Sequence, residues 1–163
     1  MARVRITGLD KVTPQIKTKI GRAIVESGWH EQVRDDLVEE VRKAGIGPAL
    51  SDRTIQSRGR IASKNPVHKD YISWFSNLTL TGQLLDSLKG KFQVSKLRLL
   101  IQVSESKLHK KYKPSKSKTA RLVDIFKWQA ERGRDLEQVF SRSRFIDQIT
   151  LKLKTSIKRF YRN

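Results

Sequence analysis

The sequence predicts an α+β domain, with a small antiparallel sheet packed by a long N-terminal helix and a C-terminal helix, and with extended basic loops. Three observations predict it. Apolar and basic side chains alternate in ARVRITGL, the period of a half-buried strand, and KFQVSK and LRLLIQVS read as an antiparallel hairpin. Apolar residues recur every four positions over residues 12–41 and 145–161, the period of a helix with one buried stripe. A chain of 163 residues is the size of one domain, so residues 1–163 are read as a single unit.

The elements follow in order. Val4 and Ile6 alternate with Arg3, Arg5 and Thr7 in a short strand that Gly8 and Asp10 end. Thr13-Pro14 starts a helix, because proline in the first turn lacks only an N–H that would have no partner there. Val12, Ile16, Ile20 and Ile24 form one stripe. Trp29, Val33, Leu37 and Val41 form another, out of phase with the first. The phase change at Gly28 predicts a kink or break in a helical segment of about 13–44, terminated by GIGP. Residues 45–70 are expected to be mostly mobile loop, with Ser51 capping a short helix through Ile55. Tyr71, Trp74 and Phe75 form an aromatic cluster expected to pack on the sheet.

Thr81 is placed to cap a one- or two-turn helix whose Leu84, Leu85 and Leu88 face inward and which Gly90 ends. A hairpin turning near Ser95–Lys96 follows. Residues 104–121, SESKLHKKYKPSKSKTAR, hold too little apolar surface to offset the entropy of ordering and are expected to be a mobile Lys-rich arm. ARLVDIFKWQAERG reads as a helix stopped by Gly133. The last helix carries Phe145, Ile149, Leu153, Ile157 and Tyr161 on one face and Lys152, Lys154, Lys158, Arg159 and Arg162 on the other.

Charge narrows the function. The formal net charge is +19. Residues 1–50 hold 9 Lys/Arg against 7 Asp/Glu, residues 51–120 hold 15 against 4, and residues 121–163 hold 11 against 5. The excess therefore lies in the middle and C-terminal thirds, and such a field attracts polyanions, either nucleic acid or an acidic protein surface. Cysteine is absent, which excludes disulfides and thiolate metal sites. No apolar run reaches the roughly 18 residues that span a bilayer, so no membrane contact is expected.

Catalytic and metal patterns are missing. His30, His68 and His109 stand apart from one another, and no Gly-rich phosphate loop or nucleophile elbow occurs. Asp35, Asp36, Glu39 and Glu40 are read as a solvated helix face neutralised by Arg34, Arg42 and Lys43. No catalytic residue, metal ligand or cofactor is expected.

The order of motifs resembles a known family. ITGLDK (6–11) precedes the long helix, and PALSDRTIQSR (48–58) is similar to a P-L-S-x-x-T stretch. Thr81, Gly82, Leu84 and Ser87 match T-G-x-L-x-x-S ahead of the hairpin. FKWQAERG (126–133) ends a helix at glycine, and Arg144-Phe145 in SRSRFIDQI looks like an R-P-F step without its proline. Taken together, the chain resembles the tail-completion, or virion-morphogenesis, proteins of tailed bacteriophages, a family of head–tail joining and minor tail components. The resemblance implies a structural virion protein with no reaction, made in the bacterial host cytoplasm and placed in the tail or neck. It implies self-assembly into a ring, commonly a hexamer, that joins the tail tube or tail terminator to the head–tail connector. Lys107, Lys110, Lys111, Lys113, Lys116 and Lys118 would be the partner-binding arm. The alternative is a sequence-independent nucleic-acid-binding protein using that arm and the C-terminal helix.

Overall fold

Gly28 splits the N-terminal helical region. Its φ of 67° lies in the left-handed region, which glycine enters without the clash a Cβ would bring. Helix α1 (Pro14–Glu26) stops before it and helix α2 (Trp29–Ala44) starts after it, the break that the two out-of-phase stripes predict. In the computed structural model, residues 2–5, 12–64, 83–103 and 122–162 are described. The side chains of residues 2–5, 58, 61–64, 83–84 and 122–125 lie outside that description.

The remaining elements are β1 (Ala2–Arg5), α3 (Asp52–Lys64), α4 (Gln83–Asp86), β2 (Leu88–Gln93), β3 (Arg98–Val103), α5 (Leu122–Ala130), α6 (Glu137–Phe140) and α7 (Ser143–Phe160). The sheet has the order β1-β3-β2, antiparallel throughout, with Val4 opposite Leu99 and Phe92 opposite the same residue from the other side. Leu88, Gly90 and Phe92 of β2 and Leu99, Ile101 and Val103 of β3 are buried, while Lys89 and Lys91 are exposed. The alternation in the sequence thus becomes one apolar and one basic face on β2. A 3-10 turn, Val94–Lys96, joins the strands, and buried Leu97 closes it with a φ of 45°.

Helix α2 lies on this sheet. Its stripe Trp29, Val33, Leu37 and Val41 is buried in one cluster with Leu85, Leu88, Phe92, Leu99 and Ile101. Trp29 meets Phe92 edge to face, with ring centroids 6.3 Å apart. Its indole Nε1 donates a buried hydrogen bond of 3.1 Å to the carbonyl of Ile149 in α7. One side chain therefore ties α2, the hairpin and the C-terminal helix. On α7, Phe145 and Ile149 are buried, Ile146, Leu153 and Ile157 pack partly buried against the cluster, and Phe145 meets Phe140 of α6 edge to face.

Two loops close the far end of α2. Gly47 and Gly133 both have φ near +71°, and a Cβ on Gly47 would lie 2.4 Å from the Gly133 carbonyl oxygen. Gln138 clasps the pair: its Oε1 accepts from the Gly47 amide, and its Nε2 donates to the Gly133 carbonyl. This brings α6 and the start of α7 over the end of α2.

The structure departs from the sequence reading in several places. Residues 52–64, expected to lie within a loop at 45–70, form α3. Ser51 does cap it, its Oγ accepting from the Thr54 amide, but the helix runs far past Ile55. A polar, basic composition with Gly59 at its centre hides that helix from periodicity. Gly90 does not end a helix; it lies mid-strand, because α2 approaches so closely that a Cβ there would be 2.3 Å from the His30 carbonyl oxygen. Ile16 is exposed, so the α1 stripe is buried only toward Ile24. Tyr161 is exposed rather than inward-facing, since α7 extends past the cluster it packs on. Tyr71, Trp74 and Phe75 lie outside the described residues.

The contact at Gly90 is backbone against backbone and cannot yield by turning a side chain. Gly90→Ala is therefore expected to destabilise the fold by about 1–3 kcal/mol. Urea unfolding checks this, with an accompanying fall in Tm of about 2–4 °C per kcal/mol.

Candidate assembly surface

Helix α7 is the most strongly amphipathic part of the surface, and its charges divide into two sets. The first set faces α2. Lys152 Nζ donates to both oxygens of Asp36 at 2.8 and 2.7 Å, and the Asp36 side chain is only 10% exposed. Arg142, just before α7, donates to Glu40 at 2.7 Å and to the Gly45 carbonyl at the end of α2. A cation at that helix end also suits the helix dipole. The acidic patch of α2 is thus neutralised, in part by the local cations the sequence suggested and in part by distant ones. Arg34 pairs with Glu31 and Asp35, and Lys43 pairs with Glu39. Arg42 instead reaches Asp86 at the end of α4, while Asp36 and Glu40 are held by cations more than a hundred residues away. The hydrogen bond from Lys43 and its positive charge hold the Glu39 carboxyl below its ordinary pKa. The pair's contribution to stability is therefore present above the ordinary carboxylate range and is lost as pH falls through it.

The second set faces outward. Arg144, Lys154, Lys158, Arg159 and Arg162 are exposed, and none has an ion-pair partner among the described residues. Three large apolar side chains lie among them: Leu151 at 66% exposure, Phe160 at 38% and Tyr161 at 54%. Phe160 and Tyr161 stack edge to face at 5.6 Å. Between α1 and α7 runs an open groove of about 530 Å³, with Ala23 and Ser27 on one wall and Leu151, Thr155, Arg159 and Phe160 on the other. A second exposed aromatic, Trp128 in α5, has the Arg132 guanidinium 3.8 Å from its ring centroid.

The residues singled out by the sequence scatter. Phe145 is buried and its neighbour Arg144 exposed, so that step turns one side chain into the core and one to solvent. Ser87 is buried between α4 and β2. Leu84 lies in α4, with its side chain outside the description. Thr81, Gly82 and the six lysines from Lys107 to Lys118 lie outside the described residues. Sequence reading missed Leu151, Phe160 and the Trp128–Arg132 pair. Leu151 carried a signal, being a leucine seven residues from Arg144 and seven from Lys158, off the buried stripe.

Among the described residues no group of three or more His, Asp or Glu is placed to hold a metal ion, and no helix is long and apolar enough to cross a membrane. The chain was compared with protein-family models, curated proteins and solved structures, and nothing matches it in any of the three.

The Asp36–Lys152 pair joins two elements and shields one carboxylate from water, so its members are unequal to surface pairs. Lys152→Met is expected to destabilise by about 1–3 kcal/mol through the charge left unpaired. Asp36→Asn in the same chain should restore part of the loss. Lys43→Ala, at an exposed pair, should lower the urea midpoint far less than Lys152→Met does.

Proposed function

We propose that this protein is a structural subunit of a tailed-phage virion, acting at the neck or the top of the tail by joining the tail tube to the head-side connector. The observation that carries the reading is the solvent-exposed surface of α7 and its C-terminal end, where Leu151, Phe160 and Tyr161 are exposed and five cations have no ion-pair partner among the described residues. Exposed apolar groups ringed by charge are what a docking surface presents before its partner arrives. The α+β fold, a small antiparallel sheet packed by the N-terminal helices with the C-terminal helix lying against those helices, agrees in class with what the family resemblance implies. The ordered motifs from ITGLDK to SRSRFIDQI supply the particular family. On this reading subunits associate with one another in a ring, and the cationic surfaces engage the neighbouring virion proteins. Electrostatic attraction speeds such docking more than it tightens it.

Negative-stain electron microscopy of the purified protein, alone and mixed with isolated tail tubes, tests the proposal. Rings, and density capping one end of the tube, are expected. Solitary monomers that leave both tube ends bare would contradict it.

The unpaired cations on α7 also favour a second reading, a sequence-independent nucleic-acid binder. A gel-shift titration of duplex DNA against salt separates the two. The structural reading expects micromolar or weaker binding that vanishes at physiological salt. A DNA binder making ~6 phosphate contacts keeps measurable affinity there, with a log–log salt slope near −5.

A further inference from the structure

The groove between α1 and α7 and the basic stripe beside it form one surface, and their chemistry specifies a partner. Leu151 sits midway between Arg144 and Lys158, about 10 Å along the helix from each. Leu151 and Phe160 line the groove, with Ala23 and one exposed carboxylate, Glu26, opposite, and the hydroxyls of Thr155 and Ser156 lie between. Arg159 lines the same groove, and Lys158 and Arg162 follow on exposed positions at the same end of α7. Lys19 and Arg22 are exposed on α1. The surface therefore combines two exposed apolar side chains with a polar floor and a rim in which cations outnumber the single carboxylate of Glu26.

We propose that this groove binds an acidic amphipathic segment of a partner protein, with apolar side chains against Leu151 and Phe160 at its two ends, about 13 Å apart along α7, and carboxylates on Arg159 and its neighbours. The inference rests on the assembly reading given above and names the chemistry of the partner at this site. Three occupants compete, and charge and shape choose among them. A phosphate backbone satisfies the cations but offers nothing apolar to Leu151, the most exposed large hydrophobic residue described. A second copy of this chain brings +19 against +19. The acids of its α2 face are already engaged by Arg34, Lys43, Arg142 and Lys152, so that face is not open to the groove of a second copy. An acidic segment with leucine-like anchors satisfies both halves of the surface, as a helix laid in a groove does. Contacts between copies in a ring then use other faces of the subunit.

Fluorescence anisotropy with three labelled probes tests this on the full chain. The first probe is a peptide with leucines at i, i+3, i+4 and i+7 and glutamates elsewhere. The second is a glutamate-only peptide of equal charge, and the third is duplex DNA. The amphipathic peptide is expected to bind about tenfold more tightly than the glutamate-only peptide, the gain from burying one leucine-sized side chain. Leu151→Ser should remove most of that difference and leave DNA binding unchanged. Thr155→Trp, which fills the groove, should act in the same way. Both substituted positions are exposed, and circular dichroism should show unaltered helix content. Equal binding of all three probes, with no effect of either variant, overturns the proposal in favour of a purely electrostatic face. Self-association abolished by Leu151→Ser overturns it in favour of a second copy. These outcomes are independent of the microscopy: a protein that caps tail tubes yet fails to distinguish the peptides keeps the assembly role and loses the groove.

Discussion

The structure depends on where the Trp29 indole sits. It begins α2 directly after the left-handed Gly28, packs edge to face on Phe92 of the hairpin, and donates its N–H to the Ile149 carbonyl in the middle of α7. A buried indole N–H without an acceptor is costly, so the position of α7 is constrained by a polar requirement as well as by packing. Three elements far apart in sequence are registered by one side chain. Gly28 and Gly90 make this possible for opposite reasons. Gly28 turns the chain so that the indole points inward, and Gly90 lets the first turn of α2 lie directly on β2.

Registration of α7 sets the candidate docking surface. Phe145 and Ile149 anchor its first half, and Lys152 and Arg142 fasten it to the acids of α2. What remains beyond these anchors faces outward: five cations, with Leu151 in their midst and Phe160 and Tyr161 at the end. The separation of the charges is economical. Cations that neutralise α2 tie the elements together, and the others on α7 have no ion-pair partner among the described residues. A net charge of +19 opposes compaction by self-repulsion, and pairing the acids across elements places attraction where the chain must close.

Much of this was legible in the sequence. Trp29, Val33, Leu37 and Val41 share a stripe, and Gly28 interrupts the phase, so α1, the break and α2 follow from spacing alone. Two strand-like runs gave the hairpin, and Phe145 and Ile149 gave the buried face of α7. Helix α3 was hidden because its residues are polar nearly all round, so no stripe announces it. Gly90 was misread because a glycine after a leucine run signals a helix end equally well as a close backbone approach, and only the third dimension distinguishes them. The partners of the acidic patch were invisible for the same reason: local cations were available, and two of the four acids took distant ones. Of the candidate surface, the cations on α7 could be read in advance. The exposure of Leu151 was signalled by its place off the buried stripe, whereas that of Phe160 was not, because it depends on where the helix outruns its support.

Native-state hydrogen exchange on the Trp29→Phe variant tests the central claim most directly. The substitution keeps an aromatic ring and removes the N–H that reaches α7. If Trp29 couples the elements, amides of Val33–Val41 and of Phe145–Ile149 exchange with a common free energy in the parent protein, and both fall together by the same amount in the variant. Loss of protection confined to α7, or none at all, would show that packing alone places the C-terminal helix and that the indole is a passenger.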